Sequence, residues 1–220
     1  MLRGLFVTGT GTGAGKTVAA AALMHRYRTV AQLRYWKPVQ TGIEQDDDTK
    51  TVRALGGCND NEILDKGVRL AGAVSPHLAA KANGSRIEIE PLIHIIEGEP
   101  HASWIVEGAG GVLVPLNDAS LMIDLMAALQ LPVVVVARSE LGTINHTLLT
   151  LEALRARALK VAGVIMIGER NRSNREAIEH FGNVAVVGEM PQISELSAVK
   201  LAQWAVSELD LSNQLMGCLH

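Results

Sequence analysis

The stretch "LFVTGTGTGAGKTVAAAALM", residues 5–24, decides the fold. An apolar run of strand character (4–8) ends beside Gly9, and a loop of alternating Gly and Thr follows. The loop closes on Gly15-Lys16-Thr17, where an Ala-rich helical segment (16–28) begins. Gly11, Gly13 and Gly15 let backbone N–H groups turn inward around phosphate oxygens, and the helix start adds its positive end. Lys16 can then reach β- and γ-phosphates, and the Thr17 hydroxyl can ligate Mg²⁺. In the strict phosphate-loop spacing the first Gly would stand at position 10, which is Thr10 here, with Gly9 one residue earlier. The order strand, small flexible loop, helix therefore carries the reading rather than the pattern itself.

Outward from the loop, short apolar runs alternate with longer Ala/Leu-rich stretches. Strands are expected at 33–36, 103–106, 132–137, 161–167 and 184–187. Helices are expected at 48–56, 77–83, 89–97, 121–129, 145–158, 173–181 and 195–207. Such alternation predicts an α/β fold with a parallel sheet covered on both faces, and ligands bound beyond the C-terminal ends of its strands. A chain of 220 residues with 48% hydrophobic residues suits one domain, 1–220, with 208–220 as a helix end and frayed tail.

Composition narrows the function classes. Net charge is −3 and aromatics are only 3% of the chain, so neither a basic footprint nor a stacking platform for nucleic acid is expected. The longest apolar run, "LPVVVVA" at 131–137, is far too short to span a bilayer, and no secretory pattern precedes the loop. Cys58 and Cys218 show neither paired nor metal-type spacing, which suits reduced thiols in the cytoplasm.

The strand exits bear the candidate chemistry. "YWKPVQTG" puts Lys37 just after a strand, within reach of a transferring phosphoryl group or simply solvated, and Thr41 offers a hydroxyl to a ligand or caps the turn. "SWIVEGAGG" puts Glu107 after an apolar strand, as a Mg²⁺ ligand or as the start of a Gly-rich turn. The run Asp46-Asp47-Asp48 reads as a solvated loop. Gly142, Thr143 and Asn145 enter a helix whose start can seat an anion such as a carboxylate, or be plainly N-capped. His77 and His146 belong to no legible catalytic set and read as structural, or as supports of residues that touch the ligand.

Together "GTGTGAGKT", "KPVQTG", "SPHLAA", "VEGAGG", "LGTINHTLLT" and "VGEMP" resemble the dethiobiotin synthetase family, in the family's order and over most of the chain. The resemblance implies a homodimeric enzyme of the P-loop NTPase fold, with a largely parallel sheet of about seven strands. It implies a ligase of biotin biosynthesis that joins CO₂ to 7,8-diaminopelargonic acid with Mg²⁺ and ATP. A carbamate and a carbamic-phosphoric anhydride precede ring closure to dethiobiotin, ADP and phosphate. Position by position, it implies that Gly13, Ala14, Gly15, Lys16, Thr17 and Val18 hold the triphosphate. Thr17, Asp48 and Glu107 would bind Mg²⁺, which raises Asp48 above a solvated loop residue. Lys37 and Lys16 would be catalytic, Thr41 would touch the substrate, and Glu107, Gly108, Ala109 and Gly110 would line the pocket. Gly142, Thr143 and Asn145 would seat the substrate carboxylate from the partner subunit. Gly168, with Pro191, Gln192 and Ile193, would flank the base.

Two departures bear on the nucleotide. Many members carry Asp and Glu where this chain has Gly11 and Gly13, and Asn-Asp where it has Ile167 and Gly168. A relaxed or altered base preference is the expectation, with ATP as the default nucleotide. Two rivals remain: a partitioning-type ATPase switch and a cobyrinate-type amidoligase. The first would carry a signature Lys at the place of Gly11, and the second would bring a glutaminase domain for which the chain has no room.

Overall fold

Strand β7 (Val133–Arg138) shows why the sheet is covered on both sides. Val133, Val135 and Ala137 enter one hydrophobic core and Val134 and Val136 the other, because successive strand side chains alternate faces. The computed structural model describes residues 2–99 and 101–220. In it β1 (Arg3–Gly9) sits between β7 and β6 (Ser103–Gly111), followed outward by β2 (Leu33–Trp36) and the two-residue edge strand β4 (Ile63–Leu64). On the other side of β7 lie β8 (Val161–Ile167) and β9 (Val186–Met190). All seven strands run parallel. A separate parallel pair, β3 (Val39–Thr41) and β5 (Val68–Leu70), lies beyond the end of β2.

One face is covered by α1 (Lys16–Tyr27), α2 (Asp48–Leu55) and α8 (Ala198–Glu208). The other packs under α3 (Pro76–Ala82), α4 (Ile89–Glu97), α5 (Met122–Leu129), α6 (Thr143–Ala156) and α7 (Arg172–Gly182). Ala19 to Met24 of α1 are all fully buried. The alanines let this helix sit close to the sheet, with α2 and α8 against it. The phosphate loop is thus anchored by the best-packed helix of the molecule. Among the described residues, no helix is long and apolar enough to cross a membrane.

Several expectations shift. Strands β3, β4 and β5 are only two or three residues long, too short for any periodicity to announce them. The strand expected at 184–187 lies at 186–190, set by the pairing of Val164 with Val186. The helix expected at 145–158 starts at Thr143, and the one expected at 195–207 starts only after the Ser197 cap.

The frayed tail is the clearest correction. Leu209, Leu215 and Leu219 are buried, and the Ser103 hydroxyl donates to the Leu219 carbonyl at 2.6 Å. Asp210 organises the segment: its buried carboxylate accepts from the Tyr27 hydroxyl, from Gln214 N at 2.9 Å and from Leu215 N at 2.8 Å. Burial and the adjacent carboxylate push the Tyr27 phenol well above its usual range, so it remains a donor. The tail is thereby tied to the end of α1. Asp210→Ala leaves a buried phenol and two N–H groups without their acceptor. It should lower unfolding free energy by about 2–3 kcal/mol in urea titrations, with Tyr27→Phe costing less.

Candidate functional site

The chain leaves β2 at Trp36 and passes through Lys37-Pro38 into β3, which turns the Lys37 side chain inward. Its ammonium is almost fully enclosed and reaches Asp48 Oδ2 at 2.5 Å, Glu107 Oε1 at 2.8 Å and the Gly108 carbonyl at 3.1 Å. Those are all three donors of an ammonium. Thr17 Oγ1 lies 2.8 Å from Asp48 Oδ1 and 3.0 Å from Glu107 Oε1. The second oxygen of Glu107 accepts from the Tyr35 hydroxyl at 2.8 Å. The first turn of α1, the exit of β2, the start of α2 and strand β6 therefore meet at one point.

Glu107 corrects an expectation: it stands within β6, which runs on to Gly111, not after the strand's end. In register with Val7, it is fully buried on the α1 side. The acidic run divides by position. Asp47 caps α2, accepting from Lys50 N at 3.0 Å, while Asp48 faces Lys37 and Thr17.

The phosphate loop spans the residues between β1 and α1. Gly15 caps α1 at φ 95° and Gly13 sits at φ 73°, both in the left-handed region where a side chain is disfavoured. A Cβ would also meet side-chain ends that would have to shift: Ile167 Cδ1 at 2.6 Å from Gly15 and an Arg138 nitrogen at 2.5 Å from Gly13. Lys16 Nζ folds back onto the Gly11 carbonyl at 3.0 Å, a contact that phosphate oxygens would replace.

These groups line one cleft of about 680 Å³. Its walls include Gly13, Gly15, Lys16, Thr17 and Val18 from the loop, Lys37, Thr41 and Asp48 opposite, and Glu107, Ala109 and Gly110 from β6. Ser75 and Pro76 close another side, whereas His77 is bonded to the Ser75 hydroxyl at 3.1 Å. Ala14 and Gly108 are buried and do not line the cleft; Ala14 borders the smaller hollow beside Thr143. Gly142, Thr143, Asn145, Gly168, Pro191, Gln192 and Ile193 do not line it. Thr143 and His146 instead border a smaller hollow of about 230 Å³ on the outer side of the loop, with Arg138 and Glu140. Asn145 and Leu141 project outward at the start of α6.

Charge is balanced within the cleft. Burial, and then the like charge of Lys37, bring Lys16 down to about 8 in spite of Glu107 and Asp48. Burial alone would lower Lys37 too, but the Glu107 and Asp48 carboxylates outweigh it and hold Lys37 above the ordinary lysine value. Burial works against the Asp48 carboxylate, yet Lys37 beside it keeps it below its usual range. Burial, then the Glu107 charge, push the Tyr35 phenol well upward, so it stays protonated and donates.

Among the described residues no three His, Cys, Asp or Glu side chains gather around a common metal position. One hydroxyl and two carboxylates at Thr17, Asp48 and Glu107 are nevertheless a fitting set for Mg²⁺. That ion prefers hard oxygens, needs few protein ligands and fills its shell with water and phosphate.

Sequence reading missed Gln40, Tyr35 and Arg138. Gln40 is buried and braces the α2 start, accepting from Asp48 N at 3.2 Å and donating to the Asp46 carbonyl at 2.6 Å. Its position inside "KPVQTG" was the available signal. Arg138 donates to the Gly13 carbonyl at 2.9 Å, and nothing local in the sequence announces that contact.

A family model described as an AAA domain matches residues 3–200. The chain is 46% identical over 201 residues to the ATP-dependent dethiobiotin synthetase BioD of Paramagnetospirillum magneticum, covering 91% of this chain and 94% of the relative. It is 43% identical over 209 residues to the BioD of Agrobacterium fabrum, covering 95% of each. Among solved structures, a ParA family ATPase from Chlorobium tepidum superposes with a TM-score of 0.59 at 12% identity, covering 100% of this chain and 98% of that one. The MinC:MinD cell division protein complex of Aquifex aeolicus gives 0.58 at 14% identity, covering 98% and 96%. At such identities these two share the fold alone.

The lowered Lys16 gives a signed prediction for nucleotide binding in EDTA. Free Lys16 loses its proton above about pH 8, whereas bound phosphates hold it protonated, so binding takes up a proton. ADP affinity should therefore fall by about tenfold per pH unit above pH 8. Calorimetry in buffers of different ionisation enthalpy should register the uptake. An affinity flat from pH 7 to 9.5 would exclude Lys16 from the phosphate contact.

Proposed function

The chain belongs to the ATP-dependent dethiobiotin synthetase family, and from that premise we propose that it converts 7,8-diaminopelargonic acid, CO₂ and ATP into dethiobiotin, ADP and phosphate. The observation that carries the reading is Lys37: a buried ammonium facing a phosphate loop, two carboxylates and an open cleft in one place. A switch ATPase has no need of such a cation at a small-molecule cleft. A ligase that gathers several anions does.

The reaction balances in three steps. One substrate amine attacks CO₂, forming a C–N bond and a carbamate as it loses a proton. A carbamate oxygen attacks the γ-phosphorus, and the bond from that phosphorus to the β-γ bridging oxygen breaks, releasing ADP. The second amine attacks the carbonyl carbon of the mixed anhydride, the C–O bond to phosphate breaks, and the ring closes with loss of phosphate and a proton.

The residues divide the labour. Backbone N–H groups of Gly13 to Val18 and the Lys16 ammonium hold the triphosphate. Thr17, Asp48 and Glu107 would hold Mg²⁺, which would supply positive charge to the phosphates when bound. Lys37 steadies the carbamate oxygen and the charge that develops as the phosphoryl group moves. Since all three of its donors are taken in this structure, it must release one to do so. Thr41 faces the substrate across the cleft.

Gly142, Thr143 and Asn145 lie off the cleft of their own chain, at a helix start where Leu141 and Asn145 project outward. That placement supports a homodimer in which this start of α6 supplies the substrate's carboxylate seat to the other copy. A reduced cytoplasmic setting suits the two free thiols, Cys58 and Cys218.

Incubation with the diamine, bicarbonate, Mg²⁺ and ATP should yield dethiobiotin with diamine-dependent phosphate release. Phosphate released equally without diamine would favour the switch reading. Lys37→Gln should retain ADP binding yet lose ring closure by a factor of about 10³; retained closure removes Lys37 from the chemistry.

The base side generates a second test. Gly168 has no side chain and its N–H is spent on the Met190 carbonyl at 2.9 Å, while the Ile167 side chain approaches Gly15. Without a side-chain donor or acceptor there, base edges go unread at this strand end. CTP and GTP should support turnover within about tenfold of ATP in competition assays, since apolar pockets discriminate weakly.

A further inference from the structure

Glu107 has two oxygens with separate lives. Oε1 faces Thr17 at 3.0 Å and Lys37 at 2.8 Å, toward the cleft. Oε2 points away from that group and has one partner among the described residues, the Tyr35 hydroxyl at 2.8 Å. Both residues have no exposed surface.

Sheet geometry explains the contact. Tyr35 on β2 stands opposite Ile105 on β6, so Glu107, two residues further along, is its diagonal neighbour on the same face. That diagonal is too long for most pairs, but a tyrosine spans it. Ile63 of β4 flanks Tyr35 on its other side, and the α1 core covers its ring, so the ring has no room to swing away.

We propose that Tyr35 is a positioning residue for the Mg²⁺ end of the site: it binds Glu107 Oε2, fixes the carboxylate plane and reserves Oε1 for the ion. The inference rests on the metal reading given above and adds the group that sets the orientation of one ligand. Without the phenol, Glu107 would keep a buried, unsatisfied oxygen or rotate to satisfy it at the expense of Oε1.

Tyr35→Phe removes one oxygen and keeps the ring. In the protein bound to ADP, Mn²⁺ uptake followed by electron paramagnetic resonance should be about 10- to 100-fold weaker than in the wild type. ADP affinity in EDTA should stay within twofold, which also reports that the variant is folded. Glu107→Gln should weaken Mn²⁺ binding by itself, and adding Tyr35→Phe in that background should change it no further.

Mn²⁺ affinity within twofold of wild type in Tyr35→Phe overturns the proposal. So does an equal loss of metal-free ADP binding, or additive effects in the double variant, since either marks a merely structural role. Wild-type protein with ADP that takes up no Mn²⁺ removes the metal site itself and this inference with it, an outcome distinct from the other three.

Discussion

The ammonium of Lys37, enclosed between Asp48 and Glu107, is the interaction on which the site depends. It joins the segment 37–48 to Glu107, far along the chain, and each of the three residues is placed by a different element. Burying one cation and two carboxylates is poor economy for stability alone, since desolvation offsets much of the attraction. Removing one member, however, leaves charge stranded in a dry place. The arrangement therefore makes the strand exit, the α2 start and β6 mutually dependent, and it presents a poised cation beside the phosphate loop.

The loop's shape is set from outside as much as from within. Glycine at 13 and 15 supplies the left-handed turns, and the side-chain ends of Arg138 and Ile167, both from strands further along the sheet, lie against them. The parallel sheet brings these strand ends to the same edge as the loop. Small residues in α1 allow the close packing that holds the loop's helix, and the C-terminal segment locks its far end through Tyr27 and Asp210. Phosphate binding is in this sense a property of the whole sheet edge.

How much was legible follows from range. Alternation of short apolar runs with helical stretches gave the α/β class and six of the seven main-sheet strands, because β-branched runs such as 132–137 are long enough to show a pattern. Lys16, Thr17 and Lys37 were legible because each is local to a loop or strand exit. Strands of two or three residues, such as β4 and β5, owe their existence to neighbours and leave no periodic trace. The tail looked frayed because its leucines are irregularly spaced, and only the Asp210 contacts give it order. The residues alone leave Asp48 in a solvated run and only the resemblance singles it out; the helix start gives the physical reason, turning Asp48 inward and leaving Asp47 as a cap. The Tyr35 contact was hidden for the same reason, as a diagonal across two strands separated by about seventy residues.

The charge balance of the cleft gives the proposed chemistry its order. Lys16 and Lys37 are set against Asp48 and Glu107, so the site without nucleotide is close to neutral. On the proposed reading, a triphosphate would draw Lys16 away from the Gly11 carbonyl, and Mg²⁺ held by Thr17, Asp48 and Glu107 would compete with Lys37 for the carboxylate oxygens that now pair with it. That competition would free a donor of Lys37, whose three bonds are full beforehand. On the same reading the ammonium would be released to a carbamate oxygen once the phosphoryl donor and its ion are seated, which would couple the nucleotide half of the cleft to the substrate half.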